Sequence, residues 1–325
     1  EMKIAFTSCF DAEDDPRQEV WDRIHALQPD VLLLLGDSVY MDFGVKFLGA
    51  DRPLGWPRKK SDADFAAFLH GLYAKQWAVD SFRRLVRSGV RLGMTWDDHD
   101  FAWNGSRGAG VMKRYAVSPE KRRISRGLFM QFRNALETLP EAATYPPCPK
   151  MDTLLDQPAA GIQYQFDKSG VRFIMLDGRT FRQDPSFTQP PTTMMHGPDQ
   201  MAWLTAQLSA WSGIKVVCAG SVLTGSSECW EQYMDYGWLL DQAPDKLIVL
   251  TGDIHKNKKP HNHRPSRPPL YEITASGAAR PGPLDKNPRL FGASGNFGIL
   301  NLNDDTAQVS LYSEEGISGP YALNF

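Results

Sequence analysis

Cysteine is scarce in this sequence: four occur in 325 residues, at positions 9, 148, 218 and 229. So few in so long a chain exclude a disulfide-stapled scaffold, and nothing requires an oxidising compartment. Long apolar runs are missing too. The longest strongly apolar run is Val31–Leu35, far short of the roughly 20 residues that cross a bilayer. Charge of one sign is not in excess. The formal net charge of −2 lacks the basic surplus of a dedicated nucleic-acid binder. The sequence also lacks a P-loop, a dinucleotide fingerprint after its first strand and a Gly-x-Ser-x-Gly elbow, which argues against those nucleotide and serine-hydrolase chemistries. No repeat and no low-complexity linker divides it.

What is present is a globular composition, 42% hydrophobic and 23% charged, enough to bury a large core. Met2 reads as the native start behind one added residue, Glu1. The first core strand then begins at once with no leader, and the cytoplasm is the expected location.

The runs Lys3–Thr7, Val31–Leu35, Val90–Trp96, Val171–Leu176, Ile214–Ala219 and Leu247–Thr251 are apolar without alternation. Such runs predict strands buried on both faces. Helical spacing of apolar residues predicts helices over Asp14–Leu27, Asp62–Arg87 and Pro198–Trp211. Strands alternating with helices predict a layered α/β fold. Two hairpins are expected, Gln163–Asp167 with Val171–Leu176, and Gly298–Leu302 with Ala307–Tyr312 across Asn303-Asp304-Asp305. The sheets are therefore mixed. Segments 41–61 and 256–269 are Pro-rich or basic and read as loops. The organisation expected is one domain over 1–325, with insertions at about 41–61 and 104–127.

In layered α/β folds, ligands bind beyond the carboxyl ends of the strands. Those ends carry Cys9, Asp11, Asp37, Asp97, Asp98, His99, Asp177, Arg179, Asp253 and His255. Acids gathered so densely repel one another unless cations neutralise them. Asp37 can bridge two metals and Tyr40 can offer a phenolate to a hard trivalent ion; the competing reading makes Asp37 a helix N-cap and Tyr40 a packing residue. Asp97-Asp98-His99-Asp100 is hard to assign to packing, because burying unpaired charge is costly. His99 suits a general acid, its ordinary pKa lying near neutrality. Asp253 and His255, two apart in extended chain, point the same way and can meet one metal. Cys9 is either a small buried hydrophobe or a thiolate ligand. Arg179 suits a phosphate clamp, or else a structural ion pair. The basic residues Lys113, Arg114, Lys121, Arg122, Arg123 and Arg126, and Lys256, Lys258 and Lys259, either steer an anion or form a solvated face.

Taken in order, Ser8-Cys9-Phe10-Asp11, Gly36-Asp37-Ser38-Val39-Tyr40, Trp96-Asp97-Asp98-His99-Asp100 with Asn104, Leu176-Asp177-Gly178-Arg179, Gln200-Met201-Ala202-Trp203-Leu204 and Thr251-Gly252-Asp253-Ile254-His255 resemble the PhoD-like alkaline phosphatases of the calcineurin-like metallophosphatase superfamily. The resemblance implies a four-layer α/β/β/α sandwich with two mixed sheets, and phosphate-ester hydrolysis at a multi-metal centre. It implies ferric iron with one or two calcium ions, with manganese, magnesium or zinc as alternatives. Cys9, Asp37, Tyr40, Asp253 and His255 would hold the metals, with Asp97 and Asp98 beside them and Asn104 adding an oxygen. His99 would protonate the leaving group and Arg179 would bind the phosphoryl oxygens. In-line attack by a metal-bound hydroxide is the expected mechanism, and a small-molecule phosphate ester the expected substrate. The sequence departs from many members at Asp100, where they carry Glu, and it shows neither their extra N-terminal β-domain nor their export signal. A phosphodiesterase on the same scaffold is the nearest alternative, and a non-catalytic metal- or phosphate-binding protein a further one.

Overall fold

The computed structural model describes residues 1–44, 50–265, 268–280, 294–303 and 306–325. Asp304 and Asp305 of the second expected hairpin turn, and parts of the expected loops 41–61 and 256–269, lie outside the described residues.

In the first sheet, β1 (Met2–Thr7), β2 (Val31–Leu35) and β3 (Arg91–Thr95) pair in parallel. Antiparallel β10 (Phe297–Leu302), β11 (Ala307–Ser313) and β12 (Gly316–Leu323) extend it beyond β1, in the order β12-β11-β10-β1-β2-β3. In the second sheet, β5 (Val171–Met175), β6 (Lys215–Cys218), β7 (Leu247–Thr251) and β9 (Leu270–Thr274) are parallel. Its edges are antiparallel: β4 (Tyr164–Lys168) against β5, and β8 (Lys258–Asn262) against β9.

The apolar runs lack alternation because both faces of each strand are covered. Ile4, Phe6, Leu33 and Leu35 pack against Phe173, Met175, Val216 and Ile248, which fills the space between the sheets. The intervening Ala5, Leu32 and Leu34 turn the other way, onto a helical layer carrying Trp21, Phe65, Phe82 and Phe129. On the far side, Ile174, Val217 and Val249 meet Leu204, Leu208 and Leu239. The period of two in side-chain direction thus produces an α/β/β/α stack. The first helical layer holds α1 (Val20–Ala26), α2 (Asp62–Trp77), α3 (Asp80–Arg87) and α5 (Pro119–Thr138), with the short α4 (Asp98–Phe101) and α6 (Met151–Leu155). The second holds α7 (Gly197–Ser209) and α8 (Met234–Gln242). Among the described residues, no helix is long and apolar enough to cross a membrane.

Several expected boundaries change for local reasons. The helix expected over Asp14–Leu27 forms only as α1. Asp15 Oδ1 accepts the N–H groups of Arg17 and Gln18, and Gln18 takes φ 42°. That side-chain turn displaces helix upstream of Val20. The stretch Asp62–Arg87 splits at Ala78 and Val79. Val79 is extended, Ser81 Oγ donates to the carbonyls of Arg17 and Gln18, and Phe82 packs on Trp21. These contacts turn α3 onto α1. Segment 256–269, expected as loop, contains β8. Its Lys, Pro, His and Asn residues carry no strand pattern, and an edge position tolerates them. Segment 104–127 includes the first turns of α5, where Ser118 Oγ accepts the Lys121 N–H.

Candidate metal centre

The carboxyl ends of β1, β2 and β3 meet those of β6 and β7 at one end of the sandwich. Cys9 N–H donates to the Gly36 carbonyl, and Gly252 N–H to the Gly220 carbonyl. The close approach leaves no room for side chains at the crossing. A Cβ on Gly220 would lie 2.6 Å from Asp97 Cγ, and one on Gly252 would lie 2.5 Å from Ser8 Oγ. Cys9, Asp37, Asp253 and His255 all take left-handed backbone, at φ 60°, 53°, 72° and 51°. Non-glycine residues rarely sit there, and such strain concentrates at functional sites.

Asp37 is the hub. Residues 38–44 form bends and irregular chain, so Asp37 does not cap a helix. Its Oδ2 lies 3.5 Å from Cys9 Sγ and accepts the Tyr40 hydroxyl at 3.2 Å. Its Oδ1 accepts the His99 N–H at 3.3 Å. Asp100 holds the loop rather than the site: its carboxylate accepts the N–H groups of Asp37, Ser38 and Asp97.

Two overlapping sets of ligand atoms lie within 4.8 Å of one another: Asp37, Asp98 and His99, and Asp37, Asp97, Asp98 and Asp253. Asp97 Oδ2 and Asp98 Oδ1 are buried with no hydrogen-bond partner among the described residues. Burial, then the negative charge of Cys9, Asp98 and Asp97, pushes the Asp37 carboxyl well above its usual range. Burial, then Asp97, Asp98 and Glu228, does the same to Asp253. Orphaned oxygens among crowded buried carboxylates are what cations neutralise, so these residues fit a metal pair. Cys9 and His255 stand outside both sets, Cys9 against Asp37 and His255 beside Tyr40, with ring centroids 6.2 Å apart.

His255 has a free, neutral ring nitrogen. Its Nδ1 donates to the Arg280 carbonyl at 2.8 Å, which leaves the Nε2 lone pair free. Burial first, and then the nearby cations, lower its pKa to about 4, so the ring is neutral. His99 is the opposite. Burial disfavours its charge, but Asp98, Asp42 and Asp37 together raise its pKa to about 10. Its Nδ1 lies 3.2 Å from Asp42 Oδ1, an ion-pair contact short of good hydrogen-bond geometry.

Arg179 is wholly buried among protein groups. Nε donates to Asp97 Oδ1 at 2.6 Å, Nη1 to Glu228 Oε2 at 2.7 Å, and Nη2 to Ser221 Oγ at 3.3 Å. Asn104 is exposed, and its backbone N–H donates to Asp42 Oδ1. Asp177 accepts from Trp96, Ile162, Arg179 and Thr180, and so anchors the loop after β5. Asp11 pairs with Arg280, whose guanidinium lies 4.3 Å over the Tyr40 ring.

Asp42, Glu228, Ser276 and Arg280 went unnoticed in the sequence. Asp42 lies five residues after Asp37 in a segment without regular structure, so no periodicity marks it. Glu228 and Arg280 lie in loops without pattern and reach the site only through tertiary contacts.

The sequence matches the PhoD-like phosphatase family over residues 4–305. Its fold is similar to the structure of PhoD, with TM-score 0.65 and 14% identity, covering 100% of this chain and 72% of that one. It is also similar to a dimetal phosphatase from Danio rerio, with TM-score 0.54 and 10% identity, covering 98% of each chain. No curated protein matches the sequence significantly. With a match that spans nearly the whole sequence, the chain belongs to the PhoD-like phosphatase family.

Proposed function

We propose that Asp37, Asp97, Asp98 and Asp253 would hold a metal pair, with Cys9, Tyr40 and His255 as the further ligands. The chain is a metal-dependent phosphoric ester hydrolase, as its family membership establishes. The observation that carries the site assignment is the gathering of Asp37, Asp97, Asp98 and Asp253, with buried oxygens left unpartnered. Thiolate, phenolate and imidazole suit iron, whereas the all-carboxylate side suits calcium, with manganese or magnesium as substitutes there.

The chemistry supplied by the metals when bound is polarisation of the phosphoryl oxygens and activation of water. The residues do the rest. His99, held protonated by Asp98 and Asp42, keeps a proton for the leaving-group oxygen. Arg179 fixes Asp97 at Nε and offsets the carboxylate charge, which makes it a positioning residue here. Asn104, exposed with its backbone N–H on Asp42, would add an oxygen to the metals or to substrate. A small-molecule phosphate ester is the substrate class. Metal content and turnover measured together on Asp37→Ala test this reading.

A further inference from the structure

Beyond the metal centre, Arg122, Arg123 and Arg126 of α5 line a cavity of about 130 Å³ with Phe181, Thr180 and Pro158. That is room for one compact anion. Three nearby cations have acids: Lys121 pairs with Asp62, Arg107 with Asp184, and Arg182 with Glu228. No carboxylate among the described residues forms an ion pair with any of these three arginines. Arg122 Nη1 donates to the Gly108 carbonyl at 2.9 Å and Arg126 Nη1 to Gln157 Oε1 at 3.0 Å. Arg126 Nε is buried with no hydrogen-bond partner. Burial and then the neighbouring arginines lower the pKa values of Arg122 and Arg126, against the weaker opposite pull of Glu120 and Asp177.

We propose that this cavity binds a compact oxyanion, a phosphate or carboxylate group, at a site separate from the metal centre. Guanidinium groups take such anions through charge-assisted, fork-like hydrogen bonds. Phe181 and Pro158 add an apolar wall, which admits an anion carried on an apolar body. The site shares no residue with the metal ligands but is tied to them. Gly108, which Arg122 holds by its carbonyl, donates its N–H to the Arg179 carbonyl at 2.9 Å. Thr180 donates its hydroxyl to Asp177 at 2.6 Å.

Calorimetric titration of inorganic phosphate into the metal-loaded full chain tests this. The wild type should take up two equivalents, one at the metals and one at the cavity. Arg123→Gln/Arg126→Gln should lose one equivalent and keep the other. Ala160→Glu, which sets a carboxylate at the exposed rim, should lose the same one without removing a native contact. Asp37→Asn should keep the cavity equivalent, so failure of the metal-centre assignment and failure here are separable. Unchanged stoichiometry and affinity in both cavity variants would overturn the site. Kinetics then identify the source. A KM raised about tenfold only for esters bearing a second acid group, the size of one lost charge-assisted bond, assigns the site to substrate. Unchanged KM values with the phosphate equivalent lost assign it to free phosphate.

Discussion

Arg179 Nε stands 2.6 Å from Asp97 Oδ1, and neither side chain reaches solvent. The ion pair ties the loop after β5 to the loop after β3, so each sheet fixes the other's end. Removing one partner leaves a buried charge uncompensated, which costs about 3–5 kcal/mol. Arg179→Ala should lose stability on that scale in chemical denaturation and bind metal more weakly. Arg179→Lys should recover little of it, because an ammonium cannot serve Asp97, Glu228 and Ser221 in one plane. A variant with native stability and only a raised KM would return Arg179 to the role of substrate clamp.

The Asp42–His99 contact predicts a shared phenotype. His99→Ala should slow esters with poor leaving groups by about a hundredfold and spare those with good ones. Asp42→Asn should show the same dependence on leaving group at smaller amplitude. Equal losses across a leaving-group series would remove His99 from acid catalysis.

Away from the metals, Asp235 at the start of α8 accepts the N–H groups of Met195 and His196 and contacts His196 Nδ1 at 2.7 Å. Burial opposes its charge, but these bonds, led by the His196 side chain, win and lower its pKa. A carboxyl with a depressed folded-state pKa stabilises above its unfolded value, about 3.9, and that contribution is lost as pH falls through the folded value. Asp235→Asn should cost about 1–3 kcal/mol at pH 7. The difference from wild type should shrink below about pH 4. A difference independent of pH in denaturation curves would contradict this.

Tyr40 faces Asp37 and Cys9 with its hydroxyl buried. If iron occupies that side, the phenolate gives the protein a visible absorption band. Tyr40→Phe should abolish the band, and metal analysis should find iron reduced and calcium retained. A colourless wild type holding two equal divalent ions would remove iron and leave the hydrolase assignment intact.

The strands that position this site were legible because their runs are continuous and end in Gly or Asp. Asp37, Asp98 and Asp253 could be found at such ends without knowing what faced them. Their second partners could not. Arg280 meets Asp11 across 269 residues and stacks on Tyr40 from a loop without periodicity. The burial of Arg179 was equally hidden, since sequence shows the strand end but not Glu228 waiting opposite it. Strand β8 escaped notice because edge pairing, not hydrophobic pattern, creates it.

The most direct test is metal content and turnover of Asp37→Ala measured on one preparation. The two ligand sets share this carboxylate, so its removal should take the chain from two bound metals to fewer than one. Phosphoesterase activity should fall by at least a thousandfold, about 4 kcal/mol of transition-state stabilisation. A folded Asp37→Ala protein that is metal-replete and fully active would contradict the assignment of the centre.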